Sequence, residues 1–290
     1  MNSLDPTRPL YASGQLPTSA DTSVTSLAPE PEKCQECYPS DPSRIDSEQP
    51  AAKNSLFVKL LKGGISQSQS QGQSASIAAS SQCSSWLASL VYPLGRYLVV
   101  PAYFRKVEVI GRGNLPQTGP VILAPTHRSR WDAMMIPYAA GHDITGNHPR
   151  FMVSANEVRG LQGWFIRRLG GFPIDPSRPA IASLRHGVGL LQDGETLVIF
   201  PEGNIFRDTP VQRLKPGLAR LALQAESSRP KLGIQIVPIH IHYSDPSVPW
   251  RCKVKVCIGQ PIQVSAYNAK APKQSAQLLT ADLKQAIEAL

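Results

Sequence analysis

From Val107 onward the chain alternates short apolar runs with stretches of helical patterning, and no other feature narrows its architecture as much. Residues 107–110, 121–124, 151–153, 172–174, 197–200, 234–241 and 253–258 read as strands, being short, rich in Val, Ile, Leu or Phe, and bounded by turn residues. Leu197-Val198-Ile199-Phe200 carries no polar side chain, which suits a strand covered on both faces. Helical spacing fills the gaps. It is seen at 133–140, at 161–169 with Trp164, Phe165 and Leu169 on one side, at 178–192 closing near Gly194, at 216–226 opening on Pro216, and at 274–290. Strands alternating with helices predict an α/β domain, a mixed sheet flanked by helices. No internal repeat is visible.

The first 83 residues lack this alternation. They are rich in Pro, Ser, Gln, Asp and Glu, and from Ser66 to Ser85 the chain is almost all Ser, Gln, Ala and Gly. Such a composition buries too little apolar surface to offset chain entropy, so residues 1–83 are expected to form a disordered tail. Composition changes abruptly at Trp86. Residues 86–104 are apolar and aromatic, yet are interrupted by Pro93, Gly95, Arg96 and Pro101. A spanning helix needs about 20 apolar residues without a central charge. Residues 84–106 are therefore read as an apolar helical segment lying in a membrane interface, and residues 107–290 as the main α/β domain.

Charge follows the same division. Residues 1–83 hold 6 Lys+Arg against 8 Asp+Glu, a net of −2; of 30 and 21 in the whole chain, 24 and 13 remain for residues 84–290, a net of +11. A basic folded part implies an anionic partner, whether nucleic acid, anionic lipid or a phosphorylated small molecule. The five Cys form no disulfide framework, and the single C-x-x-C at Cys34 and Cys37 lacks further zinc ligands nearby. No basic, then apolar, leader opens the chain, so an intracellular location is expected.

Four stretches carry chemistry. Pro125-Thr126-His127-Arg128-Ser129-Arg130-Trp131-Asp132 joins a strand to a helix, and a His and an Asp five apart can meet across one turn at a helix start. The carboxylate then holds one imidazole nitrogen and leaves the other to take a proton. Arg128 and Arg130 are open to solvent, lipid or a ligand's phosphates on this reading. Phe200-Pro201-Glu202-Gly203 ends an apolar strand on a polar turn, where Glu202 caps backbone amides or touches a substrate hydroxyl. Gly170-Gly171 allows close backbone approach ahead of Ile174-Asp175. Val237-Pro238-Ile239 is an apolar strand whose proline suits an edge or an irregularity. His240 and His242 share a face like a metal pair, but no third ligand is evident and no metal is expected.

Taken in order, these stretches resemble the glycerolipid acyltransferases, typified by the 1-acylglycerol-3-phosphate acyltransferases. His127 and Asp132 match the family's H-x-x-x-x-D; Gly171, Ile174 and Asp175 match its G-x-x-x-I-D-R-like turn; Phe200 to Gly203 match F-P-E-G; Val237 to Ile239 match V-P-I. Lys215-Pro216-Gly217 matches a K-x-G before a helix, and the resemblance runs over about residues 84–265. Two departures stand out. Pro176 replaces the Arg after Asp175, with Arg178 close by, and Asn204-Ile205 replaces the family's Thr-Arg, with Arg207 two places late.

The resemblance implies transfer of a fatty acyl group from acyl-CoA, or from acyl carrier protein, to a lysophospholipid hydroxyl, with 1-acyl-sn-glycerol 3-phosphate as the favoured acceptor. His127 would be the base and Asp132 its orienter. Glu202 and Gly203 would position the glycerol, while Arg207, Arg178 and Lys215 would bind its phosphate, and Gly171, Asp175 and Pro238 belong to the matching binding motifs. Backbone amides near Ser129 or the glycines would hold the oxyanion. No cofactor is implied beyond the acyl thioester co-substrate. The expected partners are the two substrates and a membrane lipid surface at the cytoplasmic face, and no nucleic acid. Glycerol 3-phosphate or another lysophospholipid as acceptor, and a lipid-binding relative without turnover, are the alternatives. A thioesterase or lipase is disfavoured because no G-x-S-x-G elbow occurs.

Overall fold

The computed structural model describes residues 84–175, 181–208, 210–229, 231–268 and 270–290. The 1–83 tail reading, Cys34 and Cys37, and Arg178 lie outside the described residues. The strands are β1 (Lys106–Ile110), β2 (Val121–Pro125), β3 (Arg150–Ser154), β4 (Gly171–Ile174), β5 (Thr196–Val198), β6 (Gln235–Tyr243), β7 (Lys253–Ile258) and β8 (Ile262–Gln263). They form one sheet in the order β1-β7-β6-β2-β5-β3-β4, with β8 beside β6. Pairing is parallel except where β6 meets β7 and β8, so the sheet is mixed.

Helices cover both faces. They are α1 (Ser85–Leu94), α2 (Val100–Tyr103), α3 (Asp132–Ala140), α4 (His142–Thr145), α5 (Gly160–Arg168), α6 (Ile181–Gln192), α7 (Gly217–Ser228) and α8 (Pro272–Glu288). Side chains alternate along a strand, so β2 sends Ile122 and Ala124 into one apolar layer and Val121 and Leu123 into the other. The first layer is closed by α6, α7 and α8, where Ala276, Leu279, Leu283 and Ile287 form a helical stripe buried along α8. The second layer receives Val100, Phe104, Met135 and Ile136.

The apolar segment is one continuous bent helix rather than a broken rod. Between α1 and α2, Gly95–Val99 is a π turn, in which the Val100 amide donates to the Gly95 carbonyl five residues back. Such a widened turn re-registers the hydrogen bonds around Pro93 and Pro101, which have no amide hydrogen to give. Arg96 does not face outward. It donates to the Tyr138 carbonyl at the end of α3 (2.7 Å) and pairs with Asp143 (2.9 Å). Met134 of α3 lies over Gly95, where an added Cβ would come within 2.7 Å of its sulfur, so the two helices are in contact here. The opposite face shows Trp86, Leu90, Leu94, Tyr97 and Leu98 to the outside. Among the described residues, no helix is long and apolar enough to cross a membrane.

Pro238 takes the second of its two expected settings, an irregularity. It sits on an internal strand, paired with Ala124 of β2, and not at an edge. The irregularity lies on β6's other side. Partners there run from Ile239 onward to β7 and at Gln235 and Ile236 to β8, and Pro238 falls in the gap. Its carbonyl accepts from the Gly259 amide (2.9 Å) across that gap, so the missing amide hydrogen breaks no ladder bond.

Candidate active site

β2, β5 and β6 are neighbours, and the turns after β2 and β5 meet β6's last residues at one end of the sheet. In open α/β sheets this carboxyl edge is where ligand-binding loops gather. The Thr126 amide donates to the Ile239 carbonyl (3.0 Å), and Thr126 Oγ1 accepts from the Ile241 amide (2.9 Å). These bonds fix the β2 turn against β6 before the chain reaches His127.

His127 Nδ1 lies 2.9 Å from Asp132 Oδ2. The same oxygen accepts the amides of Arg128 (2.6 Å) and Ser129 (2.8 Å). Asp132 is the first residue of α3 and is fully buried, so its charge meets both these donors and the positive end of the helix. The other oxygen, Oδ1, accepts the Tyr243 hydroxyl from the end of β6 (2.7 Å). Burial, then the Asp132 carboxylate, holds the Tyr243 hydroxyl well above the usual phenol range, so it remains a donor. The His127 ring stacks on Phe200 with centroids 4.0 Å apart, and its side chain stays 19% exposed. With Nδ1 engaged by the carboxylate, Nε2 is the ring nitrogen left to take a proton.

Glu202 belongs to the same construction by another route. Its buried carboxylate takes the Arg128 guanidinium through both oxygens (3.0 and 2.8 Å), the His127 amide (2.8 Å) and the Gln212 amide (3.0 Å). All four contacts come from the protein. Of its two sequence readings the capping one describes this geometry, and its carboxylate has no open side for a hydroxyl. Arg128 is corrected likewise: it is 5% exposed and locked to Glu202, with the Phe206 carbonyl 3.3 Å away, rather than facing solvent, lipid or donor phosphates. Arg130 is the exposed one, forked onto Glu157.

The remaining predicted residues divide. The Phe206 amide donates to the His127 carbonyl (2.8 Å), which brings exposed Arg207 beside the dyad. Lys215 folds over Gly203, where a Cβ would meet its Nζ at 2.7 Å; Gly203 also needs its positive φ of 72°. Arg207, Gly203 and Lys215 are therefore gathered near His127. Gly171 is not. It opens β4, at the opposite end of a strand three places from β2, roughly 14 Å across the sheet. A Cβ there would strike Ile166 of α5, so Gly171 serves packing. Asp175 follows β4 at the carboxyl edge, exposed, and also three strands away. The amides near Ser129 proposed for an oxyanion are already spent on Asp132, and that of Gly203 donates to Phe200 (3.1 Å). His240 and His242 lie at 5.3 Å, edge to face, and among the described residues no group of three His, Cys, Asp or Glu gathers as a metal site. Tyr243 went unread in the sequence, where only its place four residues past the V-P-I motif could have marked it.

A buried carboxylate orienting a partly exposed imidazole, at the carboxyl edge of a mixed α/β sheet, is chemically able to move a proton to or from a bound group. Residues 106–242 match the family described as Acyltransferase. Over this stretch the chain is similar to glycerolipid acyltransferases. It is 24% identical over 190 residues to the 1-acyl-sn-glycerol-3-phosphate acyltransferase of Bacillus subtilis, covering 63% of this chain and 87% of that one. It is 26% identical over 152 residues to the same-named protein of Streptococcus pneumoniae, half of each chain. The crystal structure of the 1-acyl-sn-glycerophosphate acyltransferase of Thermotoga maritima superposes with a TM-score of 0.51 at 19% identity, over 69% of this chain and 80% of that one, and shares the fold.

Proposed function

We propose that this protein transfers a fatty acyl group from an acyl thioester to the free hydroxyl of a lysophospholipid, with 1-acyl-sn-glycerol 3-phosphate giving phosphatidate as the favoured reaction. The observation that carries this reading is the His127 ring, held through Nδ1 by a fully buried Asp132 and still partly exposed. An alcohol is a poor nucleophile at neutral pH. His127 Nε2 takes the hydroxyl proton as the oxygen attacks the thioester carbonyl, and the imidazolium that forms is stabilised by Asp132. When the tetrahedral intermediate collapses, the carbon–sulfur bond breaks. The thiolate leaves and takes the proton back from His127, giving ester and free thiol. Every atom and charge is accounted for without an acyl-enzyme.

Arg207 and Lys215, beside Gly203, suit the acceptor's phosphate, and Arg178 is a candidate from the sequence alone. Glu202 holds the β5 turn in place for them. The exposed apolar face of α1 and the π turn supports docking on a lipid surface from which both substrates are drawn. That face extends to α5, whose Leu161, Trp164 and Phe165 are exposed, and which meets α1 through Tyr92 to Leu169 (3.2 Å) and Ser84 to Arg168 (2.8 Å). Arg159 and Arg168 flank it with positive charge for anionic lipid.

The test is acyl transfer from labelled acyl-CoA and acyl carrier protein to a panel of lysophosphatidate, glycerol 3-phosphate and other lysophospholipids. Wild type should esterify lysophosphatidate best, and His127→Ala should lose roughly 1,000-fold in kcat with an unchanged unfolding transition. Near-normal turnover by that variant would overturn the mechanism. Preference for another acceptor would overturn only the headgroup assignment.

A further inference from the structure

We infer that Tyr243 is a positioning residue for acyl transfer, acting on His127 only through Asp132. The inference rests on the reading of His127 as the base. Asp132 accepts four hydrogen bonds, divided unequally between its oxygens. Oδ2 takes His127 and two backbone amides, all from the eight-residue stretch that contains Asp132 itself, whereas Oδ1 takes Tyr243 alone. The local amides place one oxygen but leave the carboxylate free to turn about it. A donor on Oδ1 from a different strand fixes the plane, and with it the direction in which Oδ2 meets the imidazole.

Tyr243 is itself held. Its ring lies 6.2 Å from that of Phe104, which meets Trp131 edge to face at 5.1 Å, and its strand is paired on both sides, with Val254 opposite Tyr243 on β7. The hydroxyl is therefore presented by a sheet and an aromatic cluster rather than by a loop. The charged and titratable groups around Asp132 are few. His127 comes from the β2 turn, Tyr243 from β6, and Cys252 lies near Tyr243 ahead of β7. Arg128 turns its guanidinium away to Glu202. With so few groups in reach, removing one hydroxyl changes the charge that His127 feels. Without the Tyr243 donor, Asp132 keeps more charge on the side facing His127, the imidazolium becomes more stable, and the base requires a higher pH to be free.

The experiment is Tyr243→Phe, which keeps the ring and its packing, read beside Asp132→Asn, the double variant and His127→Ala. Expected for Tyr243→Phe is a fall in kcat of roughly tenfold, the scale of one charge-assisted hydrogen bond, with KM for both substrates within about twofold. The acidic limb of kcat/KM should move to higher pH by several tenths of a unit. The double variant should be no slower than Asp132→Asn alone, since the hydroxyl has no other route to the base. A normal kcat with an unmoved limb, or a double variant whose losses multiply, overturns the inference. Activity retained by His127→Ala would instead overturn the reading beneath it. A lowered unfolding temperature accompanied by a raised KM would make Tyr243 a packing residue and also overturn the inference.

Discussion

At the scale of single residues, the site's stability and its chemistry use the same carboxylates. Glu202 is buried with Arg128, and taking away one partner of such a pair leaves the other charged and unsatisfied. Glu202→Gln should therefore lower unfolding free energy by about 3 kcal/mol in urea titration, and Arg128→Met should cost about as much. Loss of activity without loss of stability in Glu202→Gln would mean that the carboxylate touches substrate after all. Arg207→Ala and Lys215→Ala belong to the other category. Both side chains are exposed, so stability should change by less than about 0.5 kcal/mol, while KM for lysophosphatidate rises severalfold in steady-state assays. Much of this was legible. A His and an Asp five apart, before a helix, already implied contact across one turn. What spacing cannot give is a partner 111 residues away: Tyr243 reaches Asp132 because β6 lies beside β2, and only the sheet order reveals that. Gly171 was misplaced for a related reason. A motif's order along the chain says nothing of the strand on which it lands.

At the scale of elements, the helices and strands were visible because each has one strong period. α7 and β7 fall within two residues of their expected bounds. The segment at 86–104 was harder, since prolines and an arginine in an apolar run argue against a regular helix. Its regularity depends on groups far along the chain, with Met134 lying over Gly95 and Tyr138 and Asp143 receiving Arg96. Two expectations follow for liposome flotation with anionic vesicles. Replacing Leu90, Leu94 and Leu98 by Ser should abolish co-flotation, because those side chains are exposed and contribute nothing to the core. Trp164→Ser together with Phe165→Ser should weaken flotation by roughly tenfold, since α5 was not anticipated as part of the face and supplies a smaller share of its area. Undiminished flotation of both variants would leave docking to the basic surface alone.

At the scale of the whole molecule, pH acts mainly through histidines. Burial, then His242 and Arg128, pushes His240 down to about 4 from 6.5, and His148, His186 and His242 are lowered as well, each first by burial. The unfolded chain takes up these protons near 6.5 while the folded one resists them. Stability is therefore full above that pH, declines as pH falls through it, and for His240 stops declining near 4. The loss from His240 alone is about 3 kcal/mol. Urea titrations between about pH 7 and pH 4.5 should show this slope, and His240→Gln should flatten it.

Arg96 has one more implication. Because its guanidinium clasps the end of α3 and Asp143, the apolar segment is no leash on which the domain swings. It is a foot of fixed height. On the proposed docking, the depth to which the foot sinks would set how far His127 stands above the leaflet, and so at which level a hydroxyl would have to present itself.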